Sequence, residues 1–315
     1  MEYPRSTISL RQLRYLVAIA DAGSFSAAAQ RTHVAQPALS RQVAMLEARI
    51  GSRLMERSRT GVTLTESGMR LCNFARGILE RMASVESELR SSASRPSGVV
   101  AIALPPSVAS MLVPRVVREL QRRYPDIELR VEDGLSLENG RSLQANLLDF
   151  GIVPMADALV DVDYEPLVRE SMLLVQRRER SRPASATVTF AQAARLRLAL
   201  PPRTFHTRRV IDEAAQAAHV SLDVAYEQRS LTTIVSLVRD GLAATITNSP
   251  AAQQFWKPGA VTVRRIVRPR IERAISLARP SNRTPTLAAQ AVYDIVRRFA
   301  IEAVREGRWA GKPLP

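Results

Sequence analysis

Apolar positions in the first ninety residues recur at steps of three and four, the period of an amphipathic helix. Leu10, Leu13, Leu16, Val17 and Ala20 predict a first helix, and Gly23, which tolerates the left-handed conformation, ends it near Ala22. Ser26 is a candidate N-cap for a short alanine-rich helix, Ala27 to Thr32, whose small side chains let a neighbour pack closely. After a turn at His33 to Ala35, Gln36 and Pro37 open a third helix, because proline in the first turn gives up only an amide that lacks an intrahelical acceptor. Leu39, Val43, Leu46 and Ile50 form its buried stripe, which leaves Gln36, Ser40 and Arg41 on the open side.

Arg53 to Leu64 predict a basic two-strand wing turning at Thr60 and Gly61. From Thr65 to about Ser92 the pattern becomes one long helix with a near-heptad stripe of Leu71, Phe74, Ile78, Met82, Val85 and Leu89. That stripe suits pairing between two copies of the chain, the competing reading being packing against its own chain. The polar, proline-containing run Ser91 to Gly98 marks a hinge. Beyond it strands alternate with helices: Val99 to Leu104, Leu112 to Arg123, Ile127 to Val131, Leu135 to Leu148 and Phe150 to Val153. After Met172 to Val175 a second set follows, with Leu196 to Leu200, Thr207 to Ala218, Leu222 to Tyr226, Leu231 to Arg239 and Ala243 to Thr247. The alternation predicts parallel α/β sheets in two lobes. Strand Ala274 to Leu277 and helix Pro285 to Glu306 return to the first lobe, so that the chain crosses twice and leaves a cleft.

Composition narrows the classes. The 315 residues carry 45 basic and 30 acidic side chains, a formal charge of +15, and only Lys257 and Lys312 are lysines. The first 95 residues hold 14 basic and 8 acidic side chains and the remainder 31 and 22, so the shorter part is denser in charge. Arginine pairs with phosphate and carboxylate in a planar fork, so an anionic partner fits, although arginine bias also arises genome-wide. A single cysteine, Cys72, excludes an intramolecular disulfide framework and reads as a packing residue rather than a redox sensor. Three histidines leave little for a metal site, so neither metal nor cofactor is expected. Arginines 5, 11 and 14 interrupt the N-terminal apolar residues, and no run of 18 apolar residues occurs. A cytoplasmic protein with no membrane partner is the expectation.

Two helices joined by a tight turn, with polar residues at the start of the second, match the geometry in which that start enters a major groove. Gln pairs with adenine, Arg with guanine, and Ser with a base or phosphate. The run SFSAAAQRTHVAQPALSRQVAMLEARIGSRLMERSRTGVTLTESG resembles the winged helix-turn-helix of LysR-type transcriptional regulators. The resemblance implies DNA contacts from Gln36, Pro37, Ser40 and Arg41, phosphate contacts from Ser26 and Arg31, and Arg59 with Thr60 reaching from the wing. It also implies that the long helix joins subunits. Ala35 stands where the family usually has Ser or Thr, and Met55 replaces the usual Phe. The plainer reading is a three-helix core with solvated polar residues.

The second half resembles the family's effector domain, which has the fold of periplasmic solute-binding proteins, in IALPPSVASMLVPRVVRELQRRYPDIELRVEDG, LLDFGIV and VSLVRDGLAATI. The stretch LALPPRTFHTRRVIDEA is loosely similar to the branch containing the nitrogen assimilation control regulator. The expected class is therefore α/β: a winged helix-turn-helix at 1–64, a linker helix and hinge at 65–95, and a two-lobed effector domain at 96–315. Lobe I spans about 96–170 and 273–315, and lobe II about 171–272.

Ligands of open sheets bind beyond strand C-termini, where helix N-termini offer amides. That rule selects Ser107, Thr204, His206, Thr207, Thr247 and Asn248, with Arg203 and Arg208 nearby, as a site suited to a small carboxylate. Plainer readings make Ser107 and Thr207 helix caps, Arg203 and Arg208 solvated, and His206 a loop residue. The chain thus reads as a regulator that binds double-stranded promoter DNA as a homodimer or homotetramer and responds to a small, anionic effector. RNA polymerase is a further partner, and the alternative is a solute-binding protein without DNA activity. No GxSxG elbow, P-loop or GxGxxG is present, so catalysis is not expected.

Overall fold

The computed structural model describes residues 8–58, 61–90, 95–133, 136–154, 156–178, 185–254 and 259–314. Two compact units divide the chain between Ser94 and Arg95.

In the first unit, α1 (Leu10–Ala22) starts at a capping box between Ser9 and Gln12 and stops at Gly23, whose φ is 65°. Helix α2 (Phe25–Thr32) begins two residues before the expected start. Ser24, not Ser26, is its cap: the Ser24 hydroxyl accepts the Ala27 amide at 3.1 Å. Ser26 is left as the exposed second helical residue. Helix α3 (Gln36–Ile50) starts where proline at its second position predicts, and Ala35 supplies no side-chain cap. Leu39, Val43 and Leu46 enter the core, whereas Ile50, at the last helical position, is 39% exposed and departs from the expected stripe.

Strands β1 (Met55–Ser58) and β2 (Gly61–Leu64) pair antiparallel with Met55 opposite Leu64. Residues 59 and 60, the predicted turn, lie outside the described residues. Two glycines dock this wing on the helices. The Val62 amide donates to the Gly23 carbonyl at 2.8 Å, and a Cβ on Gly61 would lie 2.6 Å from that same oxygen. Glu47 Oε1 accepts the Leu54 and Met55 amides, which sets the direction of chain entry into β1. Met55 is itself a core residue. Helix α4 (Glu66–Arg90) is capped by the Thr65 hydroxyl, and Gly68 admits the Leu54 carbonyl, which would lie 1.9 Å from a Cβ there. Cys72 is fully buried in this core, and burial raises its thiol pKa.

The second unit has two lobes. Lobe I is built from β3 (Gly98–Ala103), α5 (Pro106–Arg123), β4 (Ile127–Glu132), α6 (Ser136–Gln144), β5 (Phe150–Pro154) and β6 (Val162–Ser171). Lobe II comprises β7 (Leu173–Arg177), β8 (Thr187–Thr189), α7 (Phe190–Ala194), β9 (Leu198–Leu200), α8 (His206–Ala217), β10 (Val224–Glu227), α9 (Leu231–Arg239), β11 (Thr245–Thr247), α10 (Ser249–Gln254) and β12 (Val261–Val267). The chain returns to lobe I through β13 (Glu272–Pro280), α11 (Leu287–Arg305) and β14 (Gly311–Pro313).

Lobe I's sheet has the order β14-β6-β13-β5-β3-β4. Only β3 with β4 and β5 is parallel; β13 runs antiparallel to both β5 and β6. Lobe II has a four-stranded sheet, β11-β7-β12-β8, that is mostly antiparallel, beside a parallel pair β9 and β10. The expected parallel sheets are therefore mixed ones, because strands returning from the other lobe enter against the local direction. Helices α5 and α11 pack on one face of lobe I around Phe150, Val292 and Trp309, and Leu143 of α6 covers the other. Helix α6 is shorter than expected, its exit passing through Asn146 at φ 57°.

The lobes join at two adjacent points. The Met172 amide donates to the Ile271 carbonyl at 2.8 Å, and Ser171 lies opposite Glu272 in the β6–β13 ladder.

Candidate nucleic-acid interface and ligand cleft

In the first unit, the core stripe of α3 faces inward and thereby turns Gln36, Pro37 and Arg41 to solvent, with Ser40 half-buried beside them. Ser26 and Arg31 are exposed on α2. The first turn of α3 holds no acidic residue, so its amide end keeps its partial positive charge. Arg59 and Thr60 lie outside the described residues. Along α4, Leu71 packs on the core of its own unit, while Phe74 and Ile78 are 48% and 40% exposed and Met82 is half-buried. The side chains of Val85 and Leu89 lie outside the described set.

In the second unit a cavity of about 450 Å³ lies between the lobes. It receives the N-termini of α5, α8 and α9, none of which has an acidic first turn. Pro105 and Phe205, at the cap positions before α5 and α8, form no side-chain cap bond, which leaves the Ser107 amide of α5 and the His206 and Thr207 amides of α8 without a side-chain acceptor at the cap. Pro105, Phe205, Leu231, Ile234 and Ile246 give apolar walls. The polar lining includes Ser107, Thr207, Arg229, Thr247, Asn248 and Arg273.

A buried network ties the walls together. Glu170, 0% exposed, accepts from Arg273 Nε at 2.5 Å, Trp309 Nε1 at 2.6 Å and Asn248 Nδ2 at 3.3 Å. Asn248 Nδ2 also donates to the Ser107 hydroxyl at 3.3 Å, and Arg273 Nη1 donates to the Thr207 hydroxyl at 2.9 Å. One carboxylate thus neutralises one guanidinium and aims the hydroxyl-bearing residues of both lobes at the same space. His206 lines this space, with a buried Nδ1 that has no hydrogen-bond partner. Burial, followed by the charges of Arg273 and Arg209, lowers its pKa to about 4, so the ring is neutral at pH 7.

Ser107, His206, Thr207, Thr247 and Asn248 come together at the cavity; Thr204 does not line it. Ser107 and Thr207 are second residues of their helices and cap neither, which removes the capping interpretation. Arg203 and Arg208 point elsewhere: both pair with Asp212, and Arg208 also bonds Glu227 and the Pro201 carbonyl. Arg273, Glu170 and Arg229 take the place that sequence proximity gave them. The sequence carries no distinguishing signal for them: Arg229 sits in the bend before α9, and Arg273 and Glu170 lie in strands that hold other charged residues.

Residues 93–300 match the family model described as the LysR substrate binding domain, and residues 10–69 match the bacterial regulatory helix-turn-helix protein, lysR family. The chain belongs to the LysR family. It is a DNA-binding transcriptional regulator with a helix-turn-helix and an effector-binding domain, and its family and relatives are regulators rather than enzymes. The nitrogen assimilation regulatory protein nac of Klebsiella aerogenes is 28% identical over 302 residues, 96% of this chain and 98% of that one. The HTH-type regulator YfeR of Shigella flexneri is 29% identical over 301 residues, 95% and 97% of the two chains. Among solved structures, full-length CbnR complexed with its target DNA has a TM-score of 0.70 at 25% identity, covering 93% of this chain and all of that one. A solute-binding protein without DNA activity is not favoured, since the helix-turn-helix match is separate from the substrate-domain match. Among the described residues no helix is long and apolar enough to cross a membrane.

Proposed function

We propose that this LysR-type regulator reads duplex DNA with Gln36, Pro37, Ser40 and Arg41 at the start of α3, with Ser26 and Arg31 on phosphates and Arg59 and Thr60 in the wing. The exposure of that uncapped, acid-free helix start supports the reading. Helix α4 pairs subunits through Phe74 and Ile78, whose exposure on an otherwise amphipathic stripe favours a partner helix. The regulator works in the cytoplasm as a dimer or a dimer of dimers, with RNA polymerase as a further contact.

Its effector is a small carboxylate held in the cleft by the Ser107 amide of α5 and the leading amides of α8, the hydroxyls of Ser107, Thr207 and Thr247, and Arg229. The observation that carries this is the junction of two helix N-termini without side-chain caps in a space whose buried acid is already paired. By closing both lobes on itself, the carboxylate shifts the regulator between DNA-bending states, since a ligand acts only through differential affinity.

Two measurements test the two halves. With the full chain, Arg41→Ala is expected to cost about 1 to 3 kcal/mol in operator binding and to relax base preference, measured by gel shift on the cognate and base-substituted sites. Unchanged binding would remove Arg41 from the reading set. A thermal-shift screen of small carboxylates is expected to raise the melting point, and an acid that does so is expected to lose its effect on Arg229→Gln. No shift with any carboxylate would overturn the effector class.

A further inference from the structure

Lobe II holds a second concave site that the effector reading does not use. Residues 172–271 carry 16 basic and 6 acidic side chains, whereas the two stretches of lobe I, 95–171 and 272–315, carry 16 of each. Three of those basic residues meet in a basin of about 430 Å³ lined by Gln176, Arg177, Arg178, Arg197 and the turn Gly241–Ala244. Among the described residues no carboxylate lines it. Its position is set by β7: Leu173 pairs with cleft residue Thr247, and Arg177 lies four residues further along, about 13 Å away at strand rise.

Elsewhere in the unit, arginines are commonly held by acids, as Arg208, Arg273, Arg283 and Arg297 are. Here they are held without being neutralised. Arg177 Nη1 donates to the Asp240 carbonyl at 3.0 Å, in the space left by Gly241, where a Cβ would meet the Arg177 side chain at 2.8 Å. Arg197 lies over the Tyr226 ring, 5.3 Å from its centroid. Arg178 forms no ion pair among the described residues. Gln176 adds a buried Oε1 without a hydrogen-bond partner, so the wall contains one polar group waiting for a donor.

Three guanidiniums without an acidic partner among the described residues, around one amide, form a site for an oxyanion that also carries a hydroxyl hydrogen. We propose that this basin binds a small multivalent oxyanion of the phosphate type, as a second ligand site apart from the cleft.

Calorimetric titration of the full chain with pyrophosphate, at low chloride, tests the assignment. Saturable binding is expected, at least tenfold weaker in Arg178→Gln combined with Arg197→Gln and unchanged in Arg118→Gln, an exposed arginine of lobe I. Should the double variant fail to fold, judged by circular dichroism, Arg178→Gln alone carries the test, with a weakening of about threefold expected. Absent saturation, or unchanged affinity in these variants, overturns the proposal. So does a loss that follows Arg229→Gln instead, which would place the anion in the cleft. Weakened affinity for non-specific duplex without any pyrophosphate binding would assign the basin to a nucleic-acid backbone and overturn it as well.

Discussion

Glu170 holds the cleft in one arrangement because a buried carboxylate with three donors has no comparable alternative set of partners. Glu170→Gln leaves Arg273 charged and buried without its counter-ion, so a loss of about 3 to 5 kcal/mol is expected in denaturant unfolding. The same variant is expected to bind a carboxylate effector more tightly, because Arg273 lines the cleft and no longer shares its charge. His206 gives a pH signature. Its folded-state pKa of about 4 lies below the ordinary 6.5, so the unfolded chain takes up the proton first. Stability from this group is complete above pH 6.5 and is lost as pH falls toward 4. His206→Gln is expected to lose less stability than the parent between pH 7 and pH 5, read from urea midpoints at the two values. Ser107, His206, Thr207, Thr247 and Asn248 are legible because each ends or follows a strand that sequence alternation reveals. Arg273 and Glu170 were not, because they lie within strands 103 residues apart and meet only through the β6–β13 ladder.

At the level of elements, the helices were the readable part, since burying one face imposes a period that the sequence must carry. Helix α9 falls at the predicted Leu231–Arg239, and α1 ends at Ala22, just before the Gly23 expected to stop it. Strands β6, β8, β12 and β14 escaped prediction: β6 alone contains Asp163, Glu165, Pro166, Arg169 and Glu170, and its apolar residues do not alternate cleanly. Ser24 and Ser26 are both serines at the boundary of α2, and only the backbone distinguishes the cap from the second helical residue. The missing cap of α3 gives a direct test. Ala35→Ser should supply the hydroxyl that Ser24 supplies to α2, stabilising the DNA-binding unit by about 1 kcal/mol, which calorimetry would record as a rise of several degrees. No rise would mean that the hydroxyl cannot reach the first-turn amides.

For the whole molecule, the two units have separate cores and no shared sheet, so heating is expected to melt them as two transitions. A carboxylate effector should raise only the transition of residues 95–315, and operator duplex only that of residues 1–94. Differential scanning calorimetry with each ligand alone would separate them, and equal shifts of both peaks would contradict the assignment of sites. The formal charge of +15 is likewise unevenly shared: residues 1–94 carry 13 basic and 8 acidic side chains, lobe I is balanced, and lobe II supplies the rest.

The paired crossings at Ser171–Met172 and Ile271–Glu272 make lobe II resemble a gate hung on a single pin. Two neighbouring strands leave and re-enter together, so a swing about this pin keeps every ladder inside each lobe intact and has to break bonds across the cleft such as Asn248 to Ser107 and Arg273 to Thr207. An effector that bridged the gap, as proposed above, would therefore act by setting the angle of that swing.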